Sequence, residues 1–69
     1  MLVKDLGEAI KDRRKELDIT QPHLAELAEI SINTLYKVEK GQGNPTVEVI
    51  LKLANVLGME FTFHVKKKP

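Results

Sequence analysis

Apolar residues recur along the first part of the chain at helical spacing. Leu2, Leu6, Ala9, Ile10 and Leu17, with Arg13 in register, predict a first helix from about Val3 to Leu17, broken at Asp18. Thr20 then stands where an N-cap belongs, and Pro22 follows in the first turn, where a missing N–H costs nothing. Leu24, Ala25, Leu27 and Ala28 give a short second helix its apolar face. Ser31 is the next N-cap, opening a third helix from about Ile32 to Lys40 that buries Leu35 and Val38 and stops at Gly41. After the turn-rich Gln42-Gly43-Asn44-Pro45, Thr46 caps a fourth helix whose stripe is Val47, Ile50, Leu51, Ala54 and Leu57, ended by Gly58.

The period then changes. Met59, Phe61, Phe63 and Val65 alternate with Glu60, Thr62, His64 and Lys66, the pattern of a half-buried β-strand. The expected fold is mainly α: a four-helix domain over residues 1–58, a C-terminal strand over 59–66 and a tail at 67–69. A lone strand leaves its backbone donors and acceptors without a ladder. Two readings follow. The strand pairs with its copy in a second chain about a two-fold axis, making Met59, Phe61, Phe63 and Val65 the dimerisation residues; or the segment packs back as an extended tail.

Composition narrows the function. A 69-residue chain buries only about 60 % of its unfolded surface, so a partner surface helps it. With 42 % hydrophobic and 30 % charged residues it reads as one small globular domain rather than a disordered segment. Cysteine is absent, which excludes disulfides, thiolate metal sites and a Cys nucleophile. No apolar run approaches the roughly 20 residues of a membrane span and no leader is recognisable. The expectation is a cytoplasmic, nucleoid-associated protein with no membrane partner. His23 and His64 fall on different elements without clustered acids, so no metal is expected. No catalytic triad, phosphate loop or carboxylate pair can be assembled, so neither a cofactor nor an enzyme is expected.

Net charge is only +1, so the distribution matters more than the total. Acids gather at Asp5, Glu8, Asp12, Glu16, Glu26 and Glu29, whereas Tyr36 to Pro45 holds two lysines and one acid. Asp12-Arg13-Arg14-Lys15-Glu16 reads as a solvated helix face, and Lys66-Lys67-Lys68 as a solvated tail or an auxiliary phosphate contact.

Two short helices joined by a three-residue turn form the helix-turn-helix plan. Thr20-Gln21-Pro22-His23-Leu24-Ala25-Glu26-Leu27-Ala28, Glu29-Ile30-Ser31 and Ile32-Asn33-Thr34-Leu35-Tyr36-Lys37-Val38-Glu39-Lys40-Gly41 resemble the phage repressor and Cro-like (XRE) family. So do Asn44-Pro45-Thr46, Leu53-Ala54 and Leu57-Gly58. The resemblance implies a lambda-repressor-like domain whose third helix enters the DNA major groove while the second lies across the backbone. Gln21 then meets a phosphate or a base, or is merely solvated. Ser31, Ile32, Asn33 and Thr34 open the recognition helix, with Asn33 suited to adenine and the methyls of Ile32 and Thr34 to thymine. The alternative for this set is a capped surface helix in which Ser31 serves only as cap. Tyr36 and Lys37 lie one turn on, and Lys37 suits guanine or phosphate. Lys40, Gln42, Gly43 and Asn44 are phosphate contacts or a solvated loop. The resemblance also pairs Arg14 with Glu39 as a structural clamp.

Three departures stand out. Glu29 occupies a turn position where the family often has glycine, Pro22 removes a free N–H, and the recognition helix lacks arginine. They point to an A·T-leaning site of modest affinity. The expected function is a prokaryotic DNA-binding repressor that grips a pseudo-palindromic operator as a homodimer. The terminal Met-Glu-Phe-Thr-Phe-His-Val further resembles the HipB-type antitoxins, which implies a toxin protein as an added partner; a stand-alone repressor is equally economical. The rival is a protein-interaction module on the same scaffold with little DNA affinity.

Overall fold

The computed structural model describes residues 3–62 and Val65. Four helices follow one another: α1 Val3–Glu16, α2 Gln21–Ala28, α3 Ile32–Lys40 and α4 Val47–Leu57. The starts of α2, α3 and α4 follow from three hydroxyl caps. Thr20 Oγ1 accepts from the His23 amide, Ser31 Oγ from Thr34 and Thr46 Oγ1 from Val49, each satisfying a donor that the first turn would orphan.

All four helices stop in one way. Asp18, Glu29, Gly41 and Gly58 take left-handed backbone angles, with φ of 55°, 57°, 70° and 67°. The next residue donates back to the carbonyl five positions earlier: Ile19 to Arg14, Ile30 to Ala25, Gln42 to Lys37 and Met59 to Ala54. Ile19, Ile30 and Met59 then fold their apolar side chains onto the core, which is what such a stop favours.

That geometry corrects the expected C-terminal strand. Among the described residues there is no strand. Met59 is the apolar residue closing the end of α4, and Phe61 packs against the same core. A strand needs a second one to pair with, and burying these two side chains satisfies the apolar pattern without it. Val65 is 95 % exposed. Phe63, His64, Lys66 and the 67–69 tail lie outside the described residues.

The core joins all four helices through Ile10, Leu24, Ala25, Ala28, Leu35, Val38, Ile50, Leu53 and Leu57. Within α1 the buried face is Gly7, Ile10 and Arg14, so the stripe expected through Ala9 and Leu17 is rotated and both of those are exposed. Gly7 is why. A Cβ there would collide with the Val38 carbonyl, so the absence of a side chain lets the α1 and α3 backbones touch. On α4 the buried set is Ile50, Leu53, Ala54 and Leu57, which leaves Val47 and Leu51 in water at 59 % and 49 % exposure. Arg13 Nε donates to the Leu57 carbonyl at 3.0 Å, tying α1 to the end of α4.

Gly7→Ala should lower stability by about 2–3 kcal/mol, as overpacking does, whereas Glu29→Gly should raise it by about 1 kcal/mol by relieving a left-handed residue with a side chain. Urea unfolding of both variants measures this. No loss in the alanine variant would mean that α1 and α3 separate freely.

Candidate nucleic-acid interface

The turn between α2 and α3 spans only Glu29, Ile30 and Ser31, so its left-handed residue sets how α3 is presented. At the start of α3, Ser31 Oγ accepts from the Thr34 amide and lies 2.8 Å from Thr34 Oγ1. The two hydroxyls bond to each other, which makes Ser31 a cap first and leaves less of either hydroxyl for an outside partner. Ile32 is half-buried and packs against the core. The residues that α3 holds out to solvent are Asn33, Tyr36, Lys37 and Lys40. At about 100° per residue, positions 33, 37 and 40 fall within a narrow sector, with 36 on its flank. One edge therefore carries an amide near the helix start and two ammonium groups toward its end, where the dipole favours cations.

Beside this edge, Thr34, Lys37, Val38, Gln42, Gly43, Asn44 and Pro45 line an open recess of about 210 Å³. Gln42 and Asn44 are exposed, and Gly43 has φ of 69° with open space where a Cβ would project. Backbone can approach an outside ligand closely there. The share of Val38 and Pro45 in this recess was not readable from the sequence, because only the path of the loop back over α3 brings them together.

Gln21, the first residue of α2, is half-buried and donates from Nε2 to Glu39 Oε1 at 3.0 Å. Glu39 is itself buried. Its Oε2 accepts from Arg14 Nε at 2.8 Å and its Oε1 from Arg14 Nη2 at 3.0 Å, a two-pronged contact suited to guanidinium and carboxylate. Arg14 Nη1 reaches the Ile19 carbonyl at 2.9 Å. The expected Arg14–Glu39 clamp is present, whereas the Gln21 limb joins positions 18 apart with no periodic signal to announce it. Thus the structure brings Asn33, Tyr36, Lys37 and Lys40 to one edge, sets Gln42 and Asn44 beside it, engages the exposed Ser31 as a cap, and turns Ile32 and Gln21 partly inward. Met59 and Phe61, expected as dimerisation residues, are half-buried and pack against the core of their own chain.

His23 is exposed at the start of α2, and among the described residues no group of His, Asp or Glu is placed to hold a metal ion. Among those residues, too, no helix is long and apolar enough to cross a membrane.

Residues 10–63 match the Helix-turn-helix family. The chain is 39% identical over 51 residues to a protein of Methanococcus vannielii designated an HTH-type transcriptional regulatory protein, covering 74% of this chain but 16% of that one. It thus spans about a sixth of the length of such methanococcal relatives. A second relative, the immunity repressor of Bacillus phage phi105, is 36% identical over 55 residues, which is 80% of this chain and 38% of the repressor. Among solved structures, the restriction-modification controller protein C.AhdI of Aeromonas hydrophila superposes with a TM-score of 0.79 at 31% identity, covering 84% of this chain and 88% of that one. The clp gene regulator ClgR of Corynebacterium glutamicum gives the same TM-score at 27% identity, over 86% of this chain and 63% of that one.

Arg14→Ala should cost about 3–5 kcal/mol, because it leaves Glu39 buried and uncompensated. Arg13→Ala, whose side chain is 38% exposed, should cost about 1 kcal/mol through the lost bond to Leu57. Equal shifts in the urea midpoint of the two variants would contradict the clamp.

Proposed function

The chain belongs to the helix-turn-helix family, and from that premise we propose that it is a sequence-specific transcriptional repressor binding a pseudo-palindromic operator as a homodimer. The observation that carries the reading is the exposed edge Asn33, Tyr36, Lys37 and Lys40 on a helix capped at both ends. An amide at Asn33 pairs in bidentate fashion with adenine, and Lys37, one turn on, donates to guanine or to phosphate. Ile32 and Thr34 offer methyl groups to thymine. Lys40, Gln42 and Asn44 contact phosphates along the recess, and Gln21 does so from the start of α2. With no arginine on the recognition helix, the site leans toward A·T. Repression is supported by the phage immunity repressor among the relatives.

The homodimer is supported by the apolar pair Val47 and Leu51, one turn apart and uncovered on α4. The antitoxin reading rests on a C-terminal strand free to pair, and the inward packing of Met59 and Phe61 takes support away from it. A stand-alone repressor is the reading we favour.

Selection of bound duplexes from a random pool, followed by a salt series, tests the proposal. The expected winner is an inverted repeat with half-sites about 34–36 Å apart, bound less tightly as salt rises because phosphate contacts release counterions. Asn33→Ala should cost about 1–3 kcal/mol and relax choice at one A·T pair. Binding indifferent to sequence in the selection would turn the reading to a protein-interaction module.

A further inference from the structure

Glu39 stands in the last turn of α3, where the helix dipole disfavours an acid, and its side chain is only 3% exposed. The Arg14 ion pair accounts for its burial. It does not account for the third bond, from Gln21 Nε2 to Oε1. A carboxylate only accepts, so the nitrogen end of the Gln21 amide must face Glu39. That leaves the second N–H and the carbonyl oxygen of Gln21 for an outside partner.

The donors at the start of α2 make this side chain matter. Pro22 has no N–H, His23 N–H is taken by the Thr20 hydroxyl, and Leu24 N–H by the Thr20 carbonyl. Of the first four residues, only Gln21 keeps a backbone donor for an arriving anion. A phosphate at this helix end therefore depends on the Gln21 side chain far more than on the open turn of amides such ends ordinarily offer.

We propose that Glu39 is a positioning residue for operator DNA, holding the Gln21 amide in the orientation that donates to a backbone phosphate. The proposal rests on the reading that the first turn of α2 lies against the DNA backbone. Holding the amide beforehand removes rotamer freedom that binding would otherwise have to take away. Arg14 has a second task here: it neutralises Glu39, so the acid can steer Gln21 without repelling the phosphate.

The test uses operator duplexes that carry a single uncharged methylphosphonate linkage at successive positions. Wild type should lose affinity about tenfold at the linkage Gln21 meets, the worth of a hydrogen bond to a charged group. Gln21→Ala should be indifferent to that linkage. Arg14→Met/Glu39→Met, which replaces the buried ion pair with apolar side chains, should retain only about a twofold penalty there. Its penalties at the linkages met by Lys40 and Gln42 should match wild type, a selectivity that general loosening would not give.

A full penalty at the Gln21 linkage in the methionine pair would overturn the positioning role. Linkage profiles of Gln21→Ala identical to wild type would instead remove the phosphate contact of α2 on which it rests. Should the methionine pair not fold, the wild-type side-chain amide decides. Nitrogen relaxation as restrained at Gln21 as in the backbone supports the proposal, and relaxation of a freely rotating side-chain amide defeats it.

Discussion

A guanidinium and a carboxylate taken out of water together are the constraint around which this small domain is arranged. Separating Arg14 and Glu39 from solvent is expensive, and their attraction repays it only when every remaining donor and acceptor also finds a partner. Here the requirement reaches outward. The third nitrogen of Arg14 goes to the carbonyl of Ile19, and the doubly used oxygen of Glu39 takes Gln21. Those bonds tie α1, α3, the link into α2 and the first residue of α2 to one point. Among the described residues no buried side-chain polar atom is left without a hydrogen bond. Where apolar burial is limited by size, such a junction specifies mutual orientation more than it adds stability.

The turns impose the second constraint. A left-handed residue followed by a bond reaching back five positions ends each helix within two residues, so the links from α1 to α2 and from α2 to α3 stay short. At Gly41 and Gly58 the backbone adopts this readily. At Asp18 and Glu29 it carries a cost of about 1–2 kcal/mol each, which the packing of Ile19 and Ile30 offsets. Gly41 is doubly constrained, since a Cβ there would come within 2.7 Å of the Lys4 backbone. The orientation of the exposed edge of α3 follows from these stops as much as from the core.

Much of this was legible in the residues. The three hydroxyl caps, the glycine stops and the 3.6 period placed all four helices to within about a residue or two, because each signal is local. The Arg14–Glu39 pair came from family resemblance rather than from spacing. What escaped is non-local. The buried face of α1 turns on Gly7, whose importance lies in the backbone it meets on α3. Gln21 reaches Glu39 only after α2 has folded across α3. The alternation after Gly58 does not give a strand among the described residues, because a period of two over a few residues fits an apolar closing residue plus one packed aromatic as well as it fits a strand.

Ile32 stands at the first position of α3 and lends part of its side chain to the core. Reading head and scaffold are therefore one piece at that residue. Under the operator-binding reading proposed above, Asn33 and Lys37, both exposed, can change to suit a new DNA address at little structural risk. A change at position 32 alters the packing in the same step. On that reading the outer letters of the address drift freely, while the position next to them stays locked to the folding of the chain.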